Sequence, residues 1–173
     1  MLFDTKSLTP GKAEADHLYL DQAVFGIIVV FGCFNVFEKG IAEWPAYVSA
    51  TWRLEAISYP RWLFIDFVYE LVLLAGFFAY RANRERYLFV GMGVLAFGAL
   101  MALFHLIITI GYLNYAPGVI SAVCGFVPLA VLGMKKARAM GRLTPATMAG
   151  AGLTGLAIFL LPYLIIVHLA GRA

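Results

Sequence analysis

Asp66, Glu70 and His105 stand deep inside long apolar runs, where a group able to exchange protons is out of place unless it is used. Asp66 and Glu70 belong to the run 62–80, WLFIDFVYELVLLAGFFAY. They are four residues apart, so a helix sets them on one face with Tyr69 between them in sequence. A carboxylate at the centre of a span costs about 2.5–3.5 kcal/mol, so the two cost roughly 5–7 kcal/mol together, less if off-centre. Two carboxylates close together in low dielectric repel and share one proton. That would set an acid beside a base, as proton transfer requires. These three residues are the candidate catalytic set. Asn35, Glu38, Tyr69 and Tyr112 are the candidate ligand-binding residues around them.

Four chemistries fit such a group. The first is a pocket that binds or transforms an apolar ligand carrying one polar or cationic group. The second is a proton or cation path, which needs polar groups along the whole span. The third is a metal site, but no ExxH or HExxH spacing joins Asp66 or Glu70 to His105, so no metal is expected. The fourth is a haem or pigment held by histidine. His105 and His168 differ by roughly 7 Å of helix rise and His17 belongs to the other end, which leaves at most a single axial ligand. The residues name no cofactor.

Depth separates the first two chemistries. At about 1.5 Å per residue, Asp66 lies roughly 7 Å, His105 roughly 10 Å and Glu70 roughly 13 Å from the same end of their spans. Asn35, Glu38 and His168 fall near that end too. The opposite half holds almost no ionisable group beyond Asp21. A pocket in one half of the bilayer fits this pattern better than a path through it. Glu38 beside Lys39 reads as a boundary pair with snorkelling side chains.

The elements that must position these groups are long apolar helices. Of the 173 residues, 62% are hydrophobic and 13% charged, and the net charge is +3. A soluble domain carries about 25% charged residues. The mean hydropathy of +0.86 agrees. The expected fold is all-α, a polytopic membrane protein forming one bundle of five transmembrane helices, with four possible if 117–134 does not cross. The spans are read at 18–38, 62–80, 87–112, 117–134 and 145–170. Pro128 should kink or break the fourth. Residues 1–17 form a polar N-terminal segment. A polar tail ahead of the first apolar run, with no Ala-x-Ala site after it, argues against a cleavable signal. The link 39–61 holds Trp44, Tyr47, Trp52 and Tyr59 among Glu43, Arg53 and Glu55. That mixture suits an interfacial layer, either as a short helix opened by Pro45 or as an irregular loop.

The two basic links, 81–86 and 135–142, lie two spans apart. The positive-inside rule puts both on the cytoplasmic side, giving an inside N-terminus and an outside C-terminus in the cell (inner) membrane. On the third span Gly91, Gly98, Ala102, His105 and Thr109 share one face. Small residues there admit a close neighbour and turn His105 inward. Cys33 and Cys124 make no CxxC and read as small hydrophobes. No basic patch interleaved with aromatics points to nucleic acid. The expected partners are the lipid bilayer, a hydrophobic small molecule, or other membrane subunits.

Over one helix and its flanks, residues 58–86 resemble the EXPERA family of sterol-isomerase-like membrane proteins. Tyr59, Arg61, Glu70 and the basic turn 81–86 carry the likeness, with Glu38 as a second carboxylate. The family's Gly-Asp is replaced by the stretch 109–112, and the Asn/Trp pattern of its last span is missing. The resemblance implies a pocket for an apolar ligand. The reading is therefore a carboxylate/histidine pocket in the outer half of the bilayer, enzyme or ligand-handling module. The alternative is an accessory subunit of a respiratory or photosynthetic complex.

Overall fold

The computed structural model describes residues 10–52 and 57–170. Arg53 and Glu55 lie outside the described residues, as does the His168 side chain. The described chain is all-helical. Helix α1 (Pro10–Val29) runs through a π-helical segment, π1 (Val30–Asn35), into α2 (Val36–Ile41). A turn leads to α3 (Trp44–Trp52), then α4 (Tyr59–Ala82) and α5 (Leu88–Tyr112). The short α6 (Val119–Ser121) opens a second π-helical segment, π2 (Ala122–Phe126), and α7 (Val127–Ala139) follows. The last helix, α8, is Pro145–Ala170.

Among the described residues, four stretches are long and apolar enough to cross a membrane: Glu14–Ile41, Tyr59–Ala82, Leu88–Tyr112 and Val119–Ala139. The described apolar part of α8, Pro145–Leu161, is shorter. The first stretch continues three residues past Glu38, so Lys39 belongs to a helix and not to a link. Pro128 does not break the fourth. It sits in the first turn of α7, where its missing N–H costs no helical bond, and π2 precedes it.

Close packing follows the small residues. A Cβ on Gly98 would stand 2.5 Å from Ile27 Cδ1 of α1, and one on Gly155 would stand 2.7 Å from Ala96 Cβ of α5. Gly98 and Ala102 are both buried. Helix α5 is thus the central one, touching α1, α4, α7 and α8. Phe31, Tyr69 and Phe97 form an aromatic knot, with Phe31 5.4 Å from Tyr69 and 5.6 Å from Phe97 between ring centroids.

One end of the bundle is tied by charge. Arg81 and Arg84 both bond the buried Asp21, and Lys136 meets Asp16 at 3.0 Å. Arg142 pairs with Glu85 at 2.7 Å. Both basic turns therefore lie at the N-terminal end of α1. Bonding to Asp21 holds the Arg84 guanidinium above its ordinary range, with burial opposing it and the Asp21 charge adding to it.

Candidate functional site

The other end of the bundle holds the polar side chains, and α3 folds back over them. The reversal is made at Glu43, whose φ of 50° is uncommon for a residue other than glycine. It brings Trp44 onto His105, with ring centroids 5.7 Å apart, and Trp52 onto Phe104 at 6.0 Å. The aromatic link is thus a short helix that starts one residue before Pro45, and its aromatic side packs inward.

Under this cap lies a buried ion pair. Lys39 Nζ is 3.8 Å from Asp66 Oδ1, with both side chains 5% exposed. The ammonium also lies over the rings of Phe31 and Trp44, 5.5 and 5.6 Å from their centroids. This corrects the reading of Lys39 as a boundary residue. It corrects the pairing of the carboxylates as well: Asp66 turns to Lys39, and Glu70, one turn on, lies against Gly32. A Cβ on Gly32 would be 2.9 Å from the Glu70 carboxyl carbon.

Asn35 and His105 are wholly buried beside the pair. Asn35 Nδ2 donates to Ser121 Oγ at 2.8 Å and to the Gly118 carbonyl at 3.4 Å. Gly118 has φ +101°, and a Cβ there would come within 2.7 Å of His105 Nε2 and 2.8 Å of Asn35 Nδ2. Only glycine fits that conformation and that gap. Among the described residues, Asn35 Oδ1, both ring nitrogens of His105, Asp66 Oδ2 and Glu70 Oε2 have no hydrogen-bond partner. Each such atom, if truly left bare, costs about 1–3 kcal/mol.

Glu38 faces the other way, along a groove of about 590 Å³. The walls are apolar: Val30, Phe34, Phe37, Ile41, Ile120 and Cys124. Glu38 lies at the polar end with Tyr115 and Ser121. Its Oε1 accepts from the Tyr115 hydroxyl at 2.6 Å and the Ile120 N–H at 3.0 Å. Its Oε2 accepts from the Ser121 N–H at 2.8 Å. A carboxylate offers about four acceptor positions, so Oε2 keeps one in reserve. Burial, and then the bond to Glu38, hold the Tyr115 phenol above its ordinary range, so it stays a donor at neutral pH.

The remaining candidates are placed apart. Tyr69 donates to the Phe159 carbonyl of α8 at 2.8 Å, a tie between helices. Tyr112 is 52% exposed at the end of α5 and is not brought to the cluster. No hydrogen bond joins His105 to Asp66 or Glu70. His105 packs instead against the rings of Trp44 and Phe104. Sequence reasoning missed Lys39, Ser121 and Gly118. The available signal for Lys39 was its place one turn after Asn35, on the same face.

Residues 21–132, more than half of the chain, match the family model described as a protein of unknown function with an HXXEE motif. The chain belongs to this family. It is a different family from the one that residues 58–86 resemble. No curated protein and no solved structure matches the chain. The motif does not occur literally, since no two glutamates are adjacent. Within the match, Glu38 is the one glutamate preceded three residues earlier by an amide or imidazole side chain. The five residues there are Asn35-Val36-Phe37-Glu38-Lys39, with Asn where the motif has His and Lys where it has the second Glu.

Proposed function

We propose that this protein resides in the cell membrane, with its N-terminus inside, and binds an amphiphile in the Glu38 groove. The apolar tail lies along the walls built by Phe34, Phe37, Ile120 and Cys124. The head meets Glu38 Oε2. A carboxylate with one acceptor position left selects a head that donates, and its charge favours an ammonium. The observation that carries this reading is Glu38 itself. It is fixed by three donors from the far wall, at the polar end of an otherwise apolar groove. Asp66 and His105 support the site from behind, through Lys39 and through Asn35 and Ser121.

The packing of the small-residue faces favours this reading over an accessory subunit. The small-residue faces that would dock a partner helix are consumed inside the bundle, Gly98 by Ile27 and Gly155 by Ala96.

Cys124 offers the test. In a Cys33→Ser chain in lipid nanodiscs, a long-chain primary amine should slow maleimide labelling of Cys124. The matching fatty acid should not. Glu38→Gln should remove the protection at least tenfold in amine concentration. Equal protection by amine and acid, or protection that survives Glu38→Gln, overturns the reading.

A further inference from the structure

The cluster behind the groove is a second site. Its members close on one another through shared neighbours. Asp66 meets Lys39, and Lys39 and His105 both lie against the Trp44 ring. His105 and Asn35 both press on Gly118. Asn35 and Lys39 are one turn apart on the same helix face. Asn35, Lys39, Asp66 and His105 are each at least nine-tenths buried.

The unpartnered atoms define what fits there. Asn35 Oδ1 and Asp66 Oδ2 can only accept, and the buried Trp62 indole N–H beside Asp66 can only donate. A neutral imidazole adds one donor and one acceptor. Lys39 already balances the charge of Asp66. An anion would meet two bare acceptors, and a cation would compete with the ammonium. A small neutral molecule with both donors and acceptors satisfies all of them, and a buried water needs two to four such partners.

We infer that Asn35, Lys39, Asp66 and His105 enclose a polar chamber that holds ordered water. The motif positions then divide their work. Residues 35 and 39 serve the chamber, while residue 38 serves the groove, and Ser121 is the wall between them. Its N–H bonds Glu38, and its hydroxyl accepts from Asn35. The chamber stands whether or not the groove binds an amine, because it rests on the buried atoms alone.

Water-edited solid-state NMR tests this directly. The protein is used in proteoliposomes with labelled histidine and the substitutions His17→Gln and His168→Gln, so that His105 is the one imidazole observed. Its ring nitrogens should show transfer from slowly exchanging water protons. Asn35→Leu should at least halve that transfer while the amide spectrum stays native. A native spectrum with no water transfer to His105 overturns the inference. So does transfer that Asn35→Leu leaves unchanged. If Asn35→Leu does not fold, the double variant Lys39→Met/Asp66→Leu, which removes the acceptor together with its cation, takes its place, with the same reduction expected.

Discussion

Replacing Lys39 by methionine keeps the unbranched stem, one atom shorter, and removes its charge. In the native protein the ammonium is 3.8 Å from Asp66, both groups are almost fully enclosed, and the stem lies between Phe31 and Trp44. Lys39→Met therefore leaves a buried carboxylate without its cation. Breaking a buried pair from one side costs about 3–5 kcal/mol, because the remaining charge keeps its desolvation penalty. For a chain of this size, that is a fall of about 6–20 °C in melting temperature. The reverse variant, Asp66→Leu, should fall by a similar amount. The double variant Lys39→Met/Asp66→Leu should recover most of the loss or exceed the parent, since apolar replacement of both partners is often neutral or stabilising by about 1–4 kcal/mol. Thermal melting in mild detergent, followed by tryptophan fluorescence, measures all four proteins, and Trp44 reports from the site itself. A Lys39→Met protein melting within about 2 °C of the parent, with a double variant no better than the single ones, would falsify the pair as a buried, coupled unit.

The other predictions are briefer. Gly98→Leu should destabilise the bundle by about 1–3 kcal/mol or prevent folding, because Ile27 already fills the space, and unchanged melting would refute the contact. Gly118→Ala should cost about 1–2 kcal/mol from its left-handed backbone alone, more with the collision at His105, whereas the exposed Gly152→Ala should be near neutral in melting. A periplasm-active reporter should work at the C-terminus and be silent after Lys136, and the opposite pattern would reverse the proposed orientation. Tyr115 has a raised pKa, so its protonated form adds stability fully below the ordinary tyrosine value of about 10, lost only as pH climbs through the higher folded value. Amine protection of Cys124 should therefore not decline between about pH 7 and 9 on account of Tyr115, and a decline that Tyr115→Phe abolishes would contradict this.

The helices were readable because apolar runs of that length have few alternatives, and the Gly98–Ala102 face was readable because small residues recur at helical spacing. His105 inherits its inward direction from that face. Lys39 was signalled only by its spacing from Asn35, which did not decide its place. A glutamate and a lysine side by side at the end of an apolar run describe a boundary pair equally well. What buries the lysine is distant in effect: the helix runs on to Ile41, and the turn at Glu43 lays Trp44 over it. The division of labour between Glu38 and Asn35 was hidden for a similar reason. It depends on α6, a three-residue helix whose N–H groups no periodicity announces. The two π-helical segments have no sequence signal of their own, although Pro128 marked the neighbourhood of one.

The charge ties at the other end have a bearing on how the chain is made. Asp16 and Asp21 belong to the first helix synthesised, yet their partners come much later. Arg81 and Arg84 follow α4, and Lys136 is near the end of α7. During synthesis the first helix waits with two uncompensated acids while more than sixty residues are added after Asp21. Each basic turn, on arriving, meets an acid already in place. Biogenesis thus has two clasps that close in order, and a chain stalled between them would hold α1 and α4 together with α7 still unclaimed.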